Sequence, residues 1–122
     1  MLEARDSDHS PDDLTHHLVP AEYFRAQPED TDFAPEAFAA DGFIHCTDGA
    51  ANLIQTANRY YRDDPRAFVA LVIDKSKVQA DIRYEDPARL YPHIYGPLNR
   101  DAIVRVVAMR RAADGTFEAF ES

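Results

Sequence analysis

A single cysteine, Cys46, is present in the chain, so no internal disulfide can form and no cysteine pair is available to hold zinc. Stability must come from packing. Glycine is scarce, with four residues in 122, and none falls in a GxGxxG or P-loop pattern. Nucleotide binding through those glycine-rich turns is therefore not indicated. No apolar run approaches the roughly 18 residues needed to span a bilayer. Positive charge is also in deficit: 13 Lys and Arg face 22 Asp and Glu, for a net charge of -9. Such a surface repels nucleic-acid phosphates and anionic lipids, which argues against DNA and membranes as partners and disfavours RNA. The first 13 residues, MLEARDSDHSPDD, are acidic and polar rather than signal-like, and read as a flexible tail. The expectation is a cytoplasmic, soluble protein whose one domain runs from 14 to 122.

Large apolar side chains are plentiful. The hydrophobic fraction is 45%, with seven Phe and six Tyr, enough for one true core. Thr15 to Val19 suggests a strand, and Pro20 fits the first turn of a helix through Arg25. A helical turn at 36–39 leads to the Asp41-Gly42 turn signal and a short buried strand, Phe43 to Cys46. Ala50, Leu53, Ile54, Ala57 and Tyr61 recur at helical spacing, so a helix is predicted from Gly49 to Arg62, with Thr47 or Asp48 placed to cap it. Phe68 to Ile73 is a continuous β-prone run, the pattern of a strand buried on both faces. Ile82 to Glu85 and Ala102 to Met109 complete five or six strands with two or three helices, and the class is α+β.

The candidate chemistry centres on histidine. His45 and His93 sit inside an apolar and a Pro/Gly-rich segment, where a solvated charge would be out of place. A hydrogen-bonded structural role is the alternative for His45. His16 and His17 are adjacent, point to opposite faces of a strand, and cannot jointly hold a metal; no His pair elsewhere has ligand spacing, so no metal is expected. Strand parity also separates His45 from Cys46, which reads as a buried inert thiol, and returns Thr47 to the side of His45. Tyr95 lies between Ile94 and Gly96, outside the helical spacings that send most of the other tyrosines to the core. Glu85, near a strand end, is either solvent-facing or a site acid.

Four segments carry a resemblance: HLVP at 17–20, DGFIHCT at 41–47, IRYE at 82–85 and PHIYGPLNRDAIVRV at 92–106. Together they are similar to the small bacterial family DUF952. That family looks like a divergent branch of the ADP-ribosyltransferase superfamily, which binds NAD in a cleft between two small β-sheets and draws one key residue from each of three strands. The resemblance implies a split sandwich of two small sheets with flanking helices. It places His17 at the first position, a contact to the adenosine-side ribose, and His45 with Thr47 at the second. His93 falls at the third, where active transferases carry Glu. Either Glu85 then substitutes for that carboxylate or the chemistry differs, because imidazole cannot offset a developing oxocarbenium charge. The RNA 2′-phosphotransferase branch also lacks the third Glu and holds phosphates with basic side chains. Arg59, Arg100 or Arg105 would serve that purpose here, and Tyr95 and Asn99 would be ligand-binding. The implied guest is NAD, another nucleotide or a phosphorylated metabolite, handled by a transferase or phosphotransferase or by a non-catalytic binding module.

Overall fold

The computed structural model describes residues 13–120, so the acidic tail lies outside the described residues except for Asp13. The strands and helices run in the order β1 (Leu14–Pro20), α1 (Ala21–Ala26), α2 (Phe38–Asp41), β2 (Ile44–His45), α3 (Ala50–Tyr60), β3 (Phe68–Asp74), β4 (Asp81–Tyr84), β5 (Pro92–Tyr95), β6 (Ile103–Arg111) and β7 (Phe117–Phe120). They build two antiparallel sheets, one of four strands in the order β1-β3-β6-β7 and one of three in the order β2-β5-β4. The α+β class and the two small sheets match the sequence expectation.

The four-stranded sheet is the middle layer, and the alternation along β1 shows why. Val19 joins Val69, Leu71 and Ile73 of β3 against Ile44 and Ile94 of the small sheet. Leu18 joins Phe68, Ala70, Met109 and Phe117 against Leu53 and Ala57 of α3. Every residue of β3 is buried, as a continuous apolar run in a strand covered on both faces requires. The two sheets are stitched at their margins by reciprocal backbone hydrogen bonds between His16 and Thr47, at 3.1 and 2.8 Å.

Four local expectations are corrected. The strand predicted over Phe43 to Cys46 is only Ile44–His45, and its His is exposed rather than buried. Neither Thr47 nor Asp48 caps α3: the cap residue is Gly49 at φ 88°, and no side chain bonds to the helix start there. Segment 92–95, over which no strand is predicted, is the central strand of the small sheet, with Ile94 fully buried. Pro92 is accommodated as the first strand residue, where its carbonyl accepts from the Cys46 N–H at 3.0 Å and no N–H is needed from it. Finally, β7 is an additional strand, joined to β6 by a turn whose Gly115 adopts φ 95° over the carbonyl of Arg62.

Candidate functional site

A cleft opens between the small sheet and the layer of β1 and α3. Its wide outer part has a volume of about 700 Å³ and is lined by His45, Thr47, Arg59, Tyr60, Tyr91 and His93, with Glu85 at the rim. A narrower inner part of about 140 Å³ shares His45 and Thr47 with it and reaches His16 and His17 on β1. Six of the eight residues singled out from the sequence thus line these two adjoining parts: His17, His45, Thr47, Arg59, Glu85 and His93. The outer volume lies in the range of pockets that enclose small ligands, about 300–1,000 Å³.

His17 forms the deep end. Parity on β1 turns it toward the small sheet, while His16 faces the other way and packs against Phe120. The Nδ1–H of His17 donates to the His45 carbonyl at 2.6 Å, which leaves a lone pair on Nε2. Burial lowers its pKa to about 4, so the ring is neutral at physiological pH. Its buried Nε2 has no hydrogen-bond partner among the described residues. An acceptor left in that state costs about 1–3 kcal/mol.

The small sheet supplies the rim of the cleft. His45 of β2 and His93 of β5 are cross-strand partners on one face, with ring centroids 5.4 Å apart. Each is fixed by a carboxylate. The His45 Nε2–H donates to Asp41 Oδ2 at 3.0 Å, and the His93 Nδ1–H donates to Glu85 Oε1 at 2.9 Å. The Tyr95 hydroxyl donates to the same Glu85 oxygen at 2.5 Å. Those two donors, Tyr95 first and then His93, hold the Glu85 carboxyl below the usual carboxylate range, and Glu85 in turn raises the Tyr95 phenol. The ring of Phe43 stacks on His93 at 4.1 Å and also touches His45, which restrains both imidazoles.

Two predicted residues stand apart from the cleft. Tyr95 acts on it through Glu85, with its ring beneath the Arg83 guanidinium. Asn99 is a structural residue: its side chain accepts from the Gln79 N–H at 3.0 Å and donates to the Lys77 carbonyl at 2.9 Å, tying two turns together. Among the candidate arginines, Arg100 donates to the carbonyls of Pro28 and Thr31, and Arg105 is exposed on β6. Arg59 alone of the three lines the cleft, and its guanidinium makes no hydrogen bond or ion pair with a described residue. Cys46 is buried, and burial pushes its thiol far up, which fits the inert reading.

The sequence reading did not single out Asp41, Phe43 and Tyr91 for the site, nor the clamp behind it. In that clamp the Tyr84 hydroxyl donates to Asp48 Oδ2 at 2.5 Å and accepts from Lys75 Nζ at 2.7 Å, joining β4 to the start of α3 and the end of β3. Only Asp41 had a local signal, its spacing of four from His45. Among the described residues no group of His, Cys, Asp and Glu is arranged to hold a metal ion, and no helix is long and apolar enough to cross a membrane.

The architecture and cleft define a class, a small two-sheet α+β protein with a histidine-lined depression. The chain belongs to the DUF952 family, whose model, described as "Protein of unknown function (DUF952)", matches residues 18–106. Its fold is similar to that of protein CC0527 from Caulobacter crescentus. The crystal structure of CC0527 and that of a double mutant each align with a TM-score of 0.68 at 25% identity, covering 86% of this chain and 93% of theirs. The solution structure of CC0527 aligns with a TM-score of 0.63, also at 25% identity, over 84% of this chain and 89% of that one. No curated protein matches the chain. These likenesses carry the family and the α+β fold, and not the ADP-ribosyltransferase-like part of the expectation.

Proposed function

We propose that the cleft binds a nucleotide, with NAD the first candidate, and that Glu85 is the carboxylate at its reacting end, as in an ADP-ribosyltransferase-like enzyme. The observation that carries this reading is the convergence of His17, His45, Thr47, Arg59, Glu85 and His93 on one depression between two sheets. Each supplies a different contact. The neutral ring of His17 is buried beneath the cleft and shapes its floor, Arg59 faces phosphate oxygens, and Tyr60 and Tyr91 offer aromatic walls. Glu85, ionised under its two donors, provides the negative charge that an oxocarbenium-like transition state needs and that His93 cannot provide. Nicotinamide is then the leaving group, and water or an acceptor hydroxyl forms the new glycosidic bond.

Nicotinamide release from NAD by the full chain tests this directly. Native protein is expected to turn over NAD, and Glu85→Gln to lose about 100-fold in kcat while still binding, in the manner of a lost transition-state contact. The presence of His93 where active transferases carry Glu favours a second reading, a nucleotide-binding module without catalysis. It predicts thermal stabilisation by NAD without turnover. Absence of both stabilisation and turnover would remove the nucleotide reading altogether.

A further inference from the structure

We infer that His45 and His93 form a paired acid–base device that hydrolyses a small cyclic phosphodiester in this same cleft. The inference shares the cleft with the nucleotide reading but depends on neither NAD nor its glycosidic bond.

An ionised carboxylate only accepts hydrogen bonds, so the ring nitrogen bonded to it carries the hydrogen and the other nitrogen is left for exchange. Asp41 occupies Nε2 of His45, leaving Nδ1; Glu85 occupies Nδ1 of His93, leaving Nε2. Neither remaining nitrogen has a hydrogen-bond partner among the described residues. The two rings are cross-strand neighbours, 5.4 Å between centroids, and both line the outer cleft. With their planes at 69° the rings meet edge to face at this spacing, so a phosphoryl group would sit against the cleft-side edges of both rings rather than between them. A single oriented His is common in proteins; two on one face, each with its own carboxylate and one idle nitrogen, match the needs of a displacement in which one oxygen loses a proton as another gains one.

In the proposed step water attacks phosphorus while neutral His45 takes its proton at Nδ1, forming the new P–O bond. The bond from phosphorus to one ribose oxygen breaks, and protonated His93 delivers the proton from Nε2 to that departing oxygen. A phosphomonoester and a free hydroxyl result, and proton exchange with solvent restores both rings. In this assignment Glu85 positions His93 as the acid and Asp41 positions His45 as the base. Arg59, with no ion-pair partner among the described residues, faces the non-bridging oxygens. The net charge of -9 and the small cleft select a mononucleotide over a long polyanion.

Full-length protein is incubated with 2′,3′-cyclic AMP, and the products are followed by phosphorus NMR. Conversion to a single monophosphate isomer is expected, with H45A and H93A each lowering kcat by about 10²–10⁴-fold. Added imidazole is expected to restore part of the rate to each, which a merely structural defect would not allow. Asp41→Asn and Glu85→Gln, as positioning changes, should lower kcat with KM little altered. His45 is 59% exposed, so its replacement poses no threat to folding. No turnover above an H45A/H93A double variant, or full rates in both single variants, overturns the proposal. NAD binding without cyclic-phosphate turnover would sink this inference and leave the previous one standing.

Discussion

The two sheets are built from opposite kinds of strand. In the four-stranded sheet β3 is buried along its whole length between the small sheet and α3, and its side chains from Phe68 to Ile73 only pack, while Asp74 at its end accepts from Ser76. In the small sheet β5 alternates: Pro92 and Ile94 face the core, while His93 and Tyr95 face outward with their polar atoms available. The centre of one sheet is a scaffold covered on both faces, and the other sheet has a spare face. Solvent-exchanging side chains gather on the second, because a charged group in the middle of β3 would have to be desolvated without compensation.

The sharpest way to break this contrast is to truncate one residue on each sheet. Leu71→Ala, in the middle of β3, should cost about 2–5 kcal/mol in denaturant unfolding through the transfer and cavity effects of a fully buried site. His45→Ala, on the exposed face, should stay within about 0.5 kcal/mol in the same assay. Comparable losses at the two positions would refute the division of labour.

His17 lies between the two regimes, and acid exposes it. Its folded pKa of about 4 lies below the ordinary value of 6.5, so between those pH values the unfolded chain binds a proton that the folded one does not. The stability it contributes is complete above about pH 6.5 and is lost as pH falls toward 4, by up to about 3 kcal/mol at 1.36 kcal/mol per unit. His16, also lowered by burial, adds a loss of the same sign. Unfolding curves at pH 7 and pH 4.5 should therefore diverge in native protein and converge in part in His17→Phe; an unchanged difference would show that His17 is not buried neutral.

The smallest expected effect lies at the rim. Tyr95→Phe removes the stronger of the two donors to Glu85, so that carboxyl should titrate at a higher pH than in native protein while stability changes little. Carboxyl-carbon NMR against pH reads it, and an unmoved titration would mean that the Tyr95 contact does not form in solution.

Legibility in the sequence followed the range of the interactions. The run Phe68 to Ile73 and the helical spacing from Leu53 to Tyr61 are properties of adjacent residues, and the corresponding elements formed where expected. Parity alone separated exposed His45 from buried Cys46 and His16 from His17. β5 was hidden because Pro92, Gly96 and Pro97 look like punctuation until cross-strand pairing shows that no N–H of Pro92 is required. β7 is only four residues long, and its turn signal, Asp114-Gly115, carries no hint of the Arg62 carbonyl beneath it. In the cleft the separate members could be named, but the pairings of His93 with Glu85 and of His17 with the His45 carbonyl depend on register between strands 8 and 28 residues apart. Asn99 stands apart from the cleft for the same reason, since its partners, Lys77 and Gln79, come from a distant turn.

The central claim is that one cleft, reached by residues of both sheets, receives a nucleotide. Long-range proton–nitrogen NMR of the imidazoles during a titration with NAD tests it most directly. The account predicts that the Nε2 signal of His17 and the ring signals of His45 and His93 move together and saturate at one NAD concentration, while the side-chain amide of Asn99 stays in place. Saturating shifts that spare all three histidines, or no shifts at millimolar NAD, would contradict it.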